Sequence, residues 1–157
     1  MMELNSKIEK ALTDIDFIKR YEQLSISFND KKTPLKERLR YFDGEIIMDS
    51  IAQLGYTVNF EPKEKYFKIK EEQIGDYKFS IHIILDNGMV DLVWIVKEKQ
   101  NILLGLPVGE EYFRLMIDPN FRIGKPIFGT YEDLDEIFKI SFKMFEDFKQ
   151  ALLNNKV

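Results

Sequence analysis

Apolar positions along this chain first recur at helical spacing, then at a spacing of two, then at helical spacing again. Ser6-Lys7-Ile8-Glu9 forms a capping box, and Ile8, Leu12, Ile15, Ile18 and Tyr21 or Leu24 follow every three or four residues. This pattern predicts one amphipathic helix from about Lys7 to Leu24. Asn29-Asp30-Lys31-Lys32 interrupts it, and Thr33 then caps a second predicted helix that begins at Pro34 and buries Leu35, Leu39, Phe42, Ile46 or Ile47, Ile51 and Leu54. Gly55 is its left-handed stop, and Asp43-Gly44 is a point where it can split in two.

From Tyr56 the period is two: Tyr56, Val58 and Phe60 face one way, Thr57 and Asn59 the other. A turn at 61–64, a strand from Tyr66 to Glu71 and a turn at Gly75-Asp76 lead to a strand from Tyr77 to Leu85. Asn87-Gly88 is the signature of a two-residue hairpin turn. Such a turn fixes the register: Leu85 faces Val90, Ile83 faces Leu92, Ile81 faces Trp94 and Phe79 faces Val96, four apolar pairs on one face. The other face carries Lys78 with Lys97, Ser80 with Ile95, His82 with Val93, and Ile84 with Asp91.

A fifth strand, Ile102 to Leu106, precedes a predicted helical turn at 110–116 and an irregular connection from Asp118 to Gly129 packed by Phe121 and Phe128. Thr130 caps the final helix, with Asp133 as the third helical residue, and Leu134, Ile137, Phe138, Phe142, Phe145, Phe148 and Leu152 form a broad buried stripe. Helices, then a meander of about five antiparallel strands, then a long helix packed on the sheet make this an α+β fold, expected as a single domain over residues 1–157.

Composition narrows the function. The 157 residues include no cysteine and one histidine but thirteen phenylalanines and seven tyrosines. Without thiols there are no disulfides, no thiol catalysis and no cysteine-based zinc site. A net charge of −4 offers no general attraction to a phosphate backbone, so a nucleic-acid partner is not expected and a basic protein partner suits the balance better. No apolar run approaches the ~20 residues that cross a bilayer. Met1 to Lys10 resemble neither a secretory signal nor a transit peptide, which leads to an expected cytoplasmic location.

Each candidate for chemistry has a plainer explanation. His82 shares its face with Ser80 and Asp91, but Ser80 lies two residues away in a regular strand with no strained elbow, so a surface or partner-contacting histidine is the better reading. The acidic group Glu132, Asp133, Asp135 and Glu136 sits in the first turns of the last helix, where the helix dipole favours acids without any ion. Glu61-Pro62-Lys63 has the residues of an E-x-K nuclease fragment, but Pro62 forbids the strand that motif needs. Gly124-Lys125-Pro126 lacks the spacing of a phosphate-binding loop. No metal, cofactor or catalytic residue is therefore assigned, and the protein is expected not to be an enzyme.

What remains is a contact surface. Ile84, Val93 and Ile95 lie among Lys78, His82, Asp91 and Lys97 on the second sheet face, an apolar patch rimmed by charge. Either a partner covers it, or another segment of the chain does, such as 118–128. The candidate partner-binding residues are His82, Ile84, Asp91, Val93 and Ile95, with Glu132 and Asp133 at the acidic start of the last helix.

The stretch Leu104-Gly105-Leu106-Pro107-Val108-Gly109 leading to Tyr112 and Leu115, then Pro126-Ile127-Phe128, Tyr131-Glu132-Asp133-Leu134 and Phe142, Phe145, Glu146, Asp147 and Phe148, resembles small bacterial immunity proteins. These are cytosolic antidotes to polymorphic or contact-dependent toxins. The resemblance spans Leu103 to Leu153, about a third of the chain. It implies a non-enzymatic protein that binds a cognate toxin domain and covers its active site. The alternative is a secretion-chaperone-like protein, another kind of small acidic α+β domain, that holds an extended client segment.

Overall fold

The computed structural model describes residues 4–107, 109, 120 and 123–155. The expected helical turn at 110–116 and the position of Phe121 lie outside them. Among the described residues the chain forms α1 (Ser6–Asp14), α2 (Phe17–Ser27), a 3-10 turn (Leu35–Glu37), α3 (Gly44–Ala52), six strands and a long α4 (Tyr131–Asn154). The strands are β1 (Val58–Glu61), β2 (Tyr66–Ile69), β3 (Glu72–Ile74), β4 (Tyr77–Asp86), β5 (Met89–Glu98) and β6 (Asn101–Pro107). They build one antiparallel sheet in the order β1-β2-β4-β5-β6, with β3 pairing on β4. The α+β architecture read from the sequence is the one observed.

The β4–β5 hairpin has the predicted register throughout, from Leu85↔Val90 to Lys78↔Lys97. Asn87 and Gly88 both take positive φ, 52° and 75°, as a primed turn requires. The sixth strand was not predicted. Pairing along β4 shifts by one residue between Lys68↔His82 and Glu72↔Phe79, so one extra residue bulges out between β2 and β3. Ser80 Oγ donates to the Ile69 carbonyl at this point, 2.6 Å away. The bulge restores Ile74 to the core face, where Gln73 would otherwise fall.

Two helices differ from expectation. The first breaks at Asp16, whose φ of 56° is left-handed, an excursion aspartate tolerates. Along an unbroken helix Phe17 would stand ~180° from Ile8. The break lets both be buried, Ile8 with Ala11 and Leu12 from α1, Phe17 with Tyr21 and Leu24 from α2. The helix predicted from Pro34 shrinks to a single 3-10 turn, leaving Leu35 exposed, and α3 begins only at Gly44. Asp43 is the reason: its side chain accepts from the Glu45 amide at 2.9 Å and caps the new helix. The residues between are held otherwise, through the Leu39 amide on the Phe128 carbonyl.

The final helix follows the prediction closely. Thr130 Oγ1 accepts from the Asp133 amide at 3.0 Å, and the Asp133 carboxylate accepts from the Gly129 amide at 3.0 Å. Its stripe, including Phe138, Phe142, Phe145 and Phe148, is buried on one sheet face. Trp94 sits at the centre, edge-on to Phe17 at 5.4 Å and Phe145 at 5.1 Å. The buried side chains of helices and sheet form one contiguous cluster. At its margin Lys149 is nearly buried and reaches Glu72 and Glu146, both at 2.7 Å, tying α4 to β3.

Candidate functional site: the sheet face turned from the helices

Because the helices occupy the face of Phe79, Ile81, Trp94 and Val96, the alternate residues of β2, β4 and β5 point away from the core. Cross-strand pairing sets Lys68, His82, Val93 and Pro107 in one row across four strands. The next positions along β4 and β5 add Ile84 beside Asp91, and Ile95 opposite Gly105 of β6, which contributes no side chain. His82, Asp91, Val93 and Ile95 are half-buried, and Ile84 is 36% exposed. These five predicted contact residues do share one face.

Its rim is charged. Lys97 pairs with Glu71 at 3.3 Å at one end and Asp91 with Lys125 at 3.3 Å at the other. Tyr66 lies stacked on His82, centroids 4.3 Å apart and planes 22° from parallel. Burial holds the His82 pKa below its ordinary value, and the charges of Lys68 and Lys97 push it further the same way. At neutral pH the ring is therefore uncharged, an apolar plate with one donor and one acceptor.

This arrangement offers little to a nucleophilic mechanism. Ser80 is buried and its hydroxyl is spent on the Ile69 carbonyl. Asp91 stands opposite Ile84 rather than His82, with its carboxylate on Lys125. A base needs both a proton to take and a group to orient it.

Of the segment 118–128, Lys125 reaches the rim of the patch at Asp91. Residues 126–128 run beside the start of β5, with Val90 N donating to the Pro126 carbonyl and Phe128 N to the Gly88 carbonyl. They occupy the edge position that β6 leaves free, since β6 pairs with β5 only from Val93 onward.

Glu132 and Asp133 belong elsewhere. They open α4, which packs on the opposite sheet face, so the structure does not join them to His82, Val93 and Ile95 in one continuous site. Glu132 is exposed, but Asp133 is committed to the Gly129 amide and to Lys32 at 3.6 Å. Asp135 accepts from the Ser50 hydroxyl. Among the described residues no three acidic or histidine side chains converge as metal ligands would.

Tyr66 and Lys68 were missed as members of the face. Their alternation with the core residues Phe67 and Ile69 is visible in the sequence, but the choice of β4 as the neighbour of β2 is not. No family model matches this chain, and no curated protein or solved structure does either.

Proposed function

We propose that this is a non-enzymatic, cytoplasmic binding protein of the immunity type, which neutralises a cognate toxin domain through the sheet face of His82, Ile84, Val93 and Ile95. The observation that carries the reading is that face itself. Three β-branched side chains and a stacked Tyr66–His82 pair form a partly exposed apolar centre, ringed by Lys68, Lys97 and Asp91. An apolar core with a charged rim is the anatomy of protein interfaces. The half-burial of Val93 and Ile95 leaves area for a partner to cover, and the net charge of −4 suits a basic one.

The test is to combine the tagged protein with the toxin domain encoded or retained alongside it and titrate the toxin's activity. One-to-one inhibition that Ile95→Lys abolishes supports the reading, and unaffected toxin activity refutes it. A secretion-chaperone role is the second reading, favoured by β6, which among the described residues ends the sheet as an edge strand with Ile102 69% exposed. An extended client would add there as a further strand. A partner held through an unfolded segment, with no activity blocked, distinguishes that case.

A further inference from the structure

A concavity lies at the far edge of the sheet, between the start of α3 and the β1–β2 hairpin. It is a cleft of about 730 Å³ whose walls are Phe42, Phe60, Phe67, Met48, Leu85 and Pro62. That volume falls within the range of small-molecule sites. Phe42 and Phe60 flank the buried ring of Phe67, Phe60 to Phe67 at 5.0 Å and Phe42 to Phe67 at 6.3 Å, so the Phe67 ring backs the cleft from within the core. Phe60 keeps 42% of its surface exposed, an aromatic ring left open rather than packed away.

The charged groups in the lining are two carboxylates, Asp43 and Glu45, and one ammonium, Lys65. Asp43 spends one oxygen on the Glu45 amide. Among the described residues no basic side chain pairs with Glu45. The lining is net negative beside the open ring of Phe60, two features that both attract a cation and both disfavour an anion.

We propose that this cleft binds an organic cation, an ammonium or guanidinium head on an apolar stem. The stem lies against Phe60 and Phe42, and the head meets Glu45 and the second carboxylate oxygen of Asp43. The site is separate from the sheet face and does not depend on the toxin-binding reading. A free amine and a lysine side chain of a protein partner present the same chemistry.

Amide NMR titration of the intact chain tests this with four probes: phenethylammonium, N-acetyl-lysine methylamide, 3-phenylpropionate and 2-phenylethanol. The expected result is saturable shifts at residues 42–48 and 60–67 from at least one ammonium probe, with binding about fivefold or more tighter than for the anion and the neutral alcohol. The tighter of the two ammonium probes identifies the source. Glu45→Gln, an exposed change, is expected to weaken the cation about threefold or more, and Phe60→Leu, which keeps bulk but removes the π face, to do the same. Equal or tighter binding of 3-phenylpropionate or 2-phenylethanol, shifts confined to other residues, or no saturable shift from either ammonium probe would overturn the proposal.

Discussion

Tyr66 and His82 stack face to face across adjacent strands, their ring centroids 4.3 Å apart, on the side of the sheet turned from the helices. The protonation of the single histidine is governed by its burial at this position and by the charges of two lysines. Its folded pKa is lowered, first by burial and then by Lys68 and Lys97, below the ordinary 6.5. Between that value and the folded pKa the unfolded chain binds the proton and the folded one does not. The His82 contribution is thus fully present above about pH 6.5, is lost as pH falls from there toward the folded pKa, and is constant below it. Lys68→Gln is expected to raise the His82 pKa in an NMR titration. A His82→Asn variant is expected to lack this segment of the pH dependence of unfolding free energy.

The contact face can be separated from the core by paired substitutions. Val93→Asp and Ile95→Lys place charge at half-buried positions facing outward, and both are expected to weaken partner binding while the isolated proteins still melt cooperatively. Phe142→Asp puts a carboxylate beside Phe138 and Tyr56 at a position only 3% exposed. A loss of about 4 kcal/mol or more is expected from chemical denaturation. Unfolding of the Val93 and Ile95 variants would instead mark that face as core.

At the hairpin tip, Gly88 has φ of +75°, and a Cβ there would stand 2.6 Å from that of Arg38. Gly88→Ala is expected to cost about 1–2 kcal/mol from the left-handed backbone alone, plus the displacement of Arg38. A loss no larger than the backbone cost would show that the turn is not packed on Arg38, and a urea midpoint unchanged from the parent would contradict the left-handed turn itself.

The two acids that open α4 are expected to behave differently. Asp133→Ala removes the acceptor of the Gly129 amide and is expected to lower stability by about 1 kcal/mol. Glu132→Ala, at an exposed position, is expected to stay within about 0.5 kcal/mol of the parent by thermal melting. Asp133 therefore serves the fold first, although the sequence offers both as partner residues.

Legibility in the sequence followed the range of the determining interactions. Asn87-Gly88 and the alternation around it dictate the β4–β5 register locally, and the Thr130 cap with its phenylalanine stripe dictates α4, so both were readable. The break at Asp16 was not, because the chain before and after it keeps helical spacing and only the burial of Phe17 beside Trp94 selects the kink. The bulge between β2 and β3 was hidden for the same reason: Ser80 and Ile69 lie eleven residues apart, and their bond exists only once β2 has found β4. Of the contact face, the β4 and β5 members were legible through the hairpin. Tyr66 and Lys68 required the strand order, and the Phe42-Phe60-Phe67 cleft required the packing of α3 on the sheet edge.

The central claim, that the outward sheet face inhibits a toxin by binding it, is tested most directly by one titration. The activity of the captured or co-encoded toxin domain is measured against increasing amounts of the parent protein and of Ile95→Lys, with the melting temperature of both recorded. The account predicts stoichiometric inhibition by the parent and none by an equally stable Ile95→Lys. Inhibition by both to the same extent, or by neither, would contradict it.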